Sequence, residues 1–162
     1  MFREMRRNKQ SLGQEESDAI LSRGTSGVLA LSGDDGYPYA LPISYAYEKG
    51  RLIFHCAKAG HKLDAITREP KASFCVIDQD QVVSAEYTTY YRSVIAFGKM
   101  RLLEGEEKRA AAMLLAKRYA PRETVKRHTE VIDEAWDRLC MLEMRIEHLT
   151  GKAAKELTLP KQ

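Results

Sequence analysis

Lys58, His61 and Lys62 crowd into the segment Phe54-His55-Cys56-Ala57-Lys58-Ala59-Gly60-His61-Lys62-Leu63. The segment reads as a strand end, a loop of small residues and a helix start. Positive side chains are the wrong charge for a bare helix start, whose free N–H groups already carry positive potential. An anion held there offsets the conflict, and Ala59 and Gly60 let the backbone come close to it. Three solvated surface cations are the alternative. Neither a Walker sequence nor GxGxxG is present, so no standard phosphate loop is implied.

His55, at the end of that strand, and His148, in Ile146-Glu147-His148-Leu149-Thr150-Gly151-Lys152, are candidate proton-transfer groups, because an ordinary imidazole titrates near neutral pH. A structural histidine is the competing reading at each place. Cys56, Cys75 and Cys140 are widely spaced and fit neither a zinc site nor a disulfide framework; Cys56 and Cys75 read as small apolar packing groups. No carboxylate stands at metal-ligand spacing from a histidine, so no metal is expected, and no nucleophile motif is present. Tyr87-Thr88-Thr89-Tyr90-Tyr91-Arg92-Ser93 offers either a pocket wall for a ring or phosphate or an ordinary β surface.

These groups need a strand-rich frame. Ser11 and Gln14 suggest a capping box for a helix running to Arg23, with Gly24 as its stop. Val28-Leu29-Ala30-Leu31 is a short strand, and Gly33-Asp34-Asp35-Gly36 is a turn tolerant of positive φ. The β pattern resumes from Tyr37 to Tyr47, with Pro38 and Pro42 limiting its pairing. After Glu48-Lys49-Gly50 it runs back from Arg51 to Cys56. Such short connections predict an antiparallel meander. A helix follows from Gly60 to Arg68, burying Leu63 and Ile66 and stopped by Pro70.

Lys71 to Ile77 and Tyr90 to Leu103 are further strands. In the longer one Val94, Ala96, Gly98, Met100 and Leu102 share one face, and Ser93, Ile95, Phe97, Lys99 and Arg101 the other. From Glu104 to Tyr119 the period becomes helical, with acids at its start and Lys117 and Arg118 at its end. Beyond Pro121, Val125, Thr129, Ile132, Trp136 and Leu139 stand at helical spacing. Leu142, Met144, Ile146 and His148 then alternate with acids and arginine in a strand from about Leu139 to Leu149. The order predicts a mainly β chain with helices, a small antiparallel barrel with helices packed at one side.

At 162 residues the chain is one domain, 1–162, with residues 1–10 as a basic N-terminal arm. Hydrophobic residues at 44% and charged residues at 30% exclude disorder, collagen and coiled coil. No apolar run reaches the length of a membrane span, and no apolar stretch follows the basic start, so a secretory signal is not expected. Sparse, odd-numbered cysteine points to a reducing cytoplasm. A net charge of +3 is too small to name nucleic acid as a partner.

The ordered set Tyr37-Pro38-Tyr39-Ala40-Leu41-Pro42-Ile43-Ser44-Tyr45, Phe54 to Lys62, Tyr90 to Lys99, Glu106-Glu107-Lys108 and Ile146 to Lys152 resembles the pyridoxamine 5'-phosphate oxidase-like split-barrel flavoproteins, in the branch related to nitroimidazole-resistance (Nim) proteins. The resemblance implies a homodimeric split β-barrel that binds FMN in two clefts between subunits. It places Leu41, Pro42, Ile43 and Ser44 along the isoalloxazine ring, and His55, Cys56 and Ala57 at the ribityl chain or ring. It places His61 and Lys62 at the phosphate, together with the Lys58 and Gly60 turn. Ser93 matches a polar strand position facing the flavin. The broader family usually has arginine where His61 stands, and no terminal pyridoxine-binding segment is matched.

The expected function is that of a cytoplasmic FMN-dependent oxidoreductase passing electrons to a small aromatic or nitro-aromatic acceptor, with His55 and His148 as candidate proton donors. A non-enzymatic flavin-binding or stress-response module is the alternative from another class. A polyanion-binding protein is a third, opposed by the acids interspersed among the basic residues.

Overall fold

The computed structural model describes residues 2–158; Met1 of the basic arm and residues 159–162 lie outside the described residues. Eight strands and five α-helices follow in the order β1 (Ser11–Leu12), α1 (Gln14–Arg23), β2 (Ser26–Ser32), β3 (Pro38–Ser44), β4 (Ala46–Glu48), β5 (Arg51–Ala57), α2 (His61–Arg68), β6 (Lys71–Val83), β7 (Thr88–Leu103), α3 (Gly105–Tyr119), α4 (Val125–Ala135), β8 (Leu139–Ala153) and α5 (Lys155–Thr158). The strands form one antiparallel sheet in the order β3-β2-β6-β7-β8-β5-β4, with β1 added to β8.

β3 and β4 are separated in sequence by Tyr45 alone, yet they end that order on opposite sides. The sheet must therefore curl until its two edges meet at one residue, which gives a barrel that is split rather than closed. This corrects the expected meander. The hairpins β2–β3 and β4–β5 form, but the run from Tyr37 to Tyr47 breaks at Tyr45 and its two halves do not pair. Tyr45 turns its fully buried ring inward onto Phe74, ring centroids 5.0 Å apart, and donates its hydroxyl to the Leu21 carbonyl at 2.7 Å. With β3 left as an edge strand, Pro38 and Pro42 are tolerated there.

Each face of the sheet is covered differently. Inside the barrel lie Leu29, Leu52, Phe54, Phe74, Val94, Ala96, Leu142 and Met144. Outside, Ile53, Leu103 and Met141 meet Ala111, Ala112, Leu115 and Ile132 of α3 and α4. Both faces are thus buried over Leu52–Phe54 of β5 and Cys140–Met144 of β8, whereas His55, Arg145 and Glu147 beyond them are exposed. The same two layers explain Leu102 and Leu103. Leu102, on the Met100 face, is left 46% exposed, while Leu103 is covered by the helical layer.

A bulge reorients the C-terminal strand. Phe97 stands opposite His148, but Gly98 stands opposite Ile146, so Glu147 is an extra residue on β8. Leu149, Gly151 and Ala153 then face inward, and His148 moves to the outer face, contrary to the simple alternation that grouped it with Ile146. Glycine is required at position 98, because a Cβ there would collide with the Arg145 carbonyl.

Local signals are also overruled. The Ser11 capping box does not form, because Ser11 is drawn into β1 opposite Lys152; Gly13 becomes the N-cap of α1, and Ser17 Oγ donates to the Gly13 carbonyl at 2.9 Å. α4 is capped by Thr124, whose hydroxyl accepts from Arg127 N–H, and ends at Ala135. Leu139 opens β8 instead of extending the helical stripe. Trp136 lies against its own chain, with Lys108 Nζ at 4.0 Å and the Arg109 guanidinium carbon at 4.5 Å from the ring centroid. The arm is not free of the body either, since the Phe2 ring stacks on His148 at 4.5 Å.

Tyr119, at the end of α3, clasps the meeting point. Its hydroxyl accepts from Tyr45 N–H at 3.0 Å and faces the Tyr45 carbonyl at 2.7 Å and the Thr25 carbonyl. Removing only this oxygen leaves partly buried backbone groups short of a partner. Tyr119→Phe is expected to cost about 1–3 kcal/mol, read as a lower urea midpoint with an unchanged denaturant slope.

Candidate functional site

β3 ends at Ser44 on one edge of the split, and across it β5 carries His55 beyond the residues that β4 pairs. Both line a pocket of about 430 Å³ roofed by α3 and α4. The remaining lining is apolar, including Leu115, Ile132, Leu139 and Met141, with Tyr119 at one side. His55 lies on the face of β5 opposite the buried Phe54, and the helical layer turns that face into a pocket wall. Leu41 and Ile43 point toward the barrel core, while Pro42 and Ser44 are exposed along the edge.

α2 bridges the split and supplies the cationic turn. Gly60 is its N-cap at φ 127°, a conformation that favours glycine, and nothing lies within 4 Å of where a Cβ would project. No side chain caps this helix start. The cations fan out from it. His61 stacks on Tyr39, ring centroids 4.0 Å apart, and places Nε2 3.4 Å from Asp34. Asp34 also binds Arg68 at 3.0 Å, fastening both ends of α2 to the β2–β3 turn. Lys62 is half-buried and acts electrostatically on Cys56. Lys58 is exposed and lines a separate cleft with Lys108 and Trp136.

The structure therefore brings Ser44 and His55 together at one pocket, while the Gly60–Lys62 turn meets β3 near its other end, where His61 stacks on Tyr39. It does not bring His148 to that pocket. His55 stands opposite Met141 on β8 and His148 opposite Phe97, which separates them along that strand by about 20 Å at the usual rise. Ser93 is on β7 opposite Ile77 and Lys152 and is not among the residues lining the Ser44–His55 pocket. The tyrosine-rich segment sits at the β6–β7 tip, where Tyr87 is 99% exposed and Tyr90 donates to Glu86. Sequence reasoning missed Tyr39, Asp34 and Tyr119, whose partners are all distant in sequence and carry no local signal.

Residues 13–153 fit the family model described as pyridoxamine 5'-phosphate oxidase. The chain belongs to that family. Among solved structures, a candidate 5-nitroimidazole antibiotic resistance protein from Bacteroides thetaiotaomicron aligns at a TM-score of 0.77 and 20% identity, over 88% of this chain and 86% of that one. The conserved protein Rv2991 from Mycobacterium tuberculosis aligns at 0.81 and 19%, over 98% and 96%. The FAD and heme binding protein from Mycobacterium smegmatis aligns at 0.72 and 24%, over 91% and 74%. At these identities the likeness is one of fold. No curated protein matches the chain. No helix among the described residues is long and apolar enough to cross a membrane.

In this chain α3 and α4 supply much of the pocket wall, so that part of the wall can be altered without touching the ladder. Ala135→Phe is expected to fill the space beside His55 while preserving the circular-dichroism spectrum. Fluorescence enhancement of an anilinonaphthalene sulfonate probe bound to the native protein should fall at least severalfold; an unchanged signal would show that the pocket is not the probe's site.

Proposed function

We propose that the chain is an FMN-binding oxidoreductase, working as a homodimer in the cytoplasm on a small flat aromatic or nitro-aromatic acceptor. The observation that carries this reading is the open, uncapped start of α2 beside the split. The residues fit a phosphate-bearing flavin. Gly60 leaves space in front of the turn, the first backbone N–H groups of α2 have no side-chain cap, and Lys62 adds a cation. Leu41, Pro42, Ile43 and Ser44 would run along the ring, and His55, Cys56 and Ala57 would follow the ribityl chain. Lys58, Gly60, His61 and Lys62 would surround the phosphate, His61 through an N–H donor while its ring rests on Tyr39. The solved relatives that bind FAD, and the Bacteroides relative linked to nitroimidazole resistance, support the flavin and the acceptor class respectively.

A second chain supplies what one barrel lacks. On the outer face, Val28, Cys75 and Ile95 form one cross-strand row. Val28 is 41% and Ile95 37% exposed, with Ile77 beside them at 66%. Such a patch fits a two-fold contact, through which Ser93 reaches the flavin of the other chain.

Bound FMN would supply reversible one- and two-electron transfer. The chain's part is to hold the ring at the split, exclude water with the apolar α3–α4 wall, and deliver a proton from an imidazole nitrogen of His55 as negative charge grows on the acceptor. His148 is the corresponding candidate from the outer face.

A charge-assisted hydrogen bond to phosphate is worth about 1.5–3 kcal/mol. Lys62→Ala should therefore weaken FMN about ten- to a hundredfold in a fluorescence titration while changing riboflavin much less. Equal losses would remove Lys62 from the phosphate. Turnover is tested separately. The reduced holoprotein is mixed anaerobically with a nitroimidazole or a quinone, and reoxidation should outpace that of free FMN. His55→Ala should slow it with flavin affinity unchanged. Reoxidation no faster than free FMN would leave a flavin-binding module without reductase activity.

A further inference from the structure

Cys56 and Cys140 are far apart in sequence, and the spacing of the cysteines fitted no disulfide framework. The β5–β8 ladder sets them directly opposite one another. Opposed residues in an antiparallel pair have Cα atoms about 4.5 or 5.5 Å apart, depending on the ladder position. Both values lie within the roughly 4.4–6.8 Å that a disulfide spans. Both side chains face the barrel interior, Cys140 as part of the core and Cys56 packed against it. Both are free thiols in the structure. Cys75, the third cysteine, stands opposite Val28 and Ile95 and has no such neighbour.

We propose that Cys56 and Cys140 form a redox-labile dithiol that closes to a cross-strand disulfide at the mouth of the barrel, in exchange with low-molecular-weight disulfides. Cys56 is half-buried and reachable, whereas Cys140 is 7% exposed, so Cys56 reacts first. Its thiol gives up a proton, its sulfur attacks one sulfur of the small disulfide, and the S–S bond breaks. One small thiolate leaves and takes the proton. The Cys140 sulfur then attacks Cys56 Sγ in the mixed disulfide, releasing the second small thiol. Two protein thiols are oxidised to one disulfide, and one small disulfide is reduced to two thiols, so atoms and electrons balance.

The environment sets the order of rates. Burial pushes the Cys56 thiol up to about 12, the neighbouring Cys140 adds to the shift, and Lys62 opposes it. The first attack is consequently slow. The second occurs between sulfurs already held together and is fast, so the mixed disulfide does not accumulate. Cysteine pairs across a ladder have Cβ atoms about 4.5–5.5 Å apart, at or beyond the long end of the disulfide range of roughly 3.5–4.5 Å. The closed bond is therefore strained and readily reduced. Because Cys56 adjoins the Gly60–Lys62 turn, closing it also tightens the strand end on which that turn is built.

The test uses the full-length protein equilibrated with graded ratios of 2-hydroxyethyl disulfide and 2-mercaptoethanol, then acid-quenched, alkylated and digested. The expected product is a peptide containing Cys56 joined to one containing Cys140, with Cys75 alkylated, and with dithiothreitol restoring all three thiols. Cys140→Ala should instead trap the small thiol on Cys56, and Cys56→Ala should leave Cys140 alkylated. Three alkylated cysteines at every ratio would overturn the proposal. So would a stable mixed disulfide on Cys56 in the unaltered protein, or a link involving Cys75.

Discussion

The architecture depends on one covalent constraint, that the two edges of a seven-strand path are joined through a single residue. β3 and β4 are consecutive in the chain and terminal in the sheet. No ladder hydrogen bonds hold those edges together, so the closure is carried by Tyr45 and the groups that grip it. Its ring fills the core against Phe74, its hydroxyl reaches α1, and its backbone is gripped by Tyr119 of α3. A tyrosine suits this place because it combines a large apolar body with one polar end that must find a partner when buried. Burial accordingly holds the Tyr45 phenol well above its ordinary range, so it remains a neutral donor.

The candidate site is a consequence of that closure. A barrel sealed by hydrogen bonds would have presented a continuous wall. A split one leaves β3, and β5 beyond the residues paired with β4, without a partner on one side, and the molecule covers these edges with helices. The exposed edge is normally a liability for aggregation. Here Pro38 and Pro42 remove backbone donors from β3, and the edge lies next to the cationic turn, the combination that makes it suited to a ligand. Electrostatics away from the split are spent on holding the frame. Glu143, nearly buried, is flanked by Arg51 at 3.2 Å and Arg101 at 2.9 Å; desolvation opposes its ionisation, yet the two guanidinium groups keep its carboxyl below the ordinary range. Arg23 likewise holds the Asp78 carboxyl low while tying α1 to the bulged segment of β6.

Much of the frame was legible in the residues themselves. Gly33 to Gly36 and Glu48 to Gly50 turn where their composition says they should, with positive φ at Asp35, Gly36, Lys49 and Gly50. Pro70 ends the β5–β6 helix, and the charge placement on α3 matches its dipole. The longer strands extend beyond the expected ends, β6 to Val83 and β8 to Ala153, because pairing with a long neighbour sustains residues of weak β preference. Of the site, the Lys58–Lys62 turn and its helix were readable from charge and glycine placement. The partners of those side chains were not, since Tyr39 and Asp34 lie on another hairpin.

By itself the sequence determined the alternation of strands and helices and the cationic helix start, which are set by local backbone preference and by residues near one another in the chain, and its ordered motifs carried the family resemblance. Only the tertiary structure decided which faces of those elements meet. A single bulged residue, Glu147, moved His148 out of the core to the outer face, because a period of two is reversed by one insertion, and its place along β8 keeps it far from His55. The ladder register placed Cys56 beside Cys140, and the curl of the sheet brought Ser44 to His55. Register, bulges and closure depend on contacts between residues distant in sequence, where neither propensity nor spacing carries information.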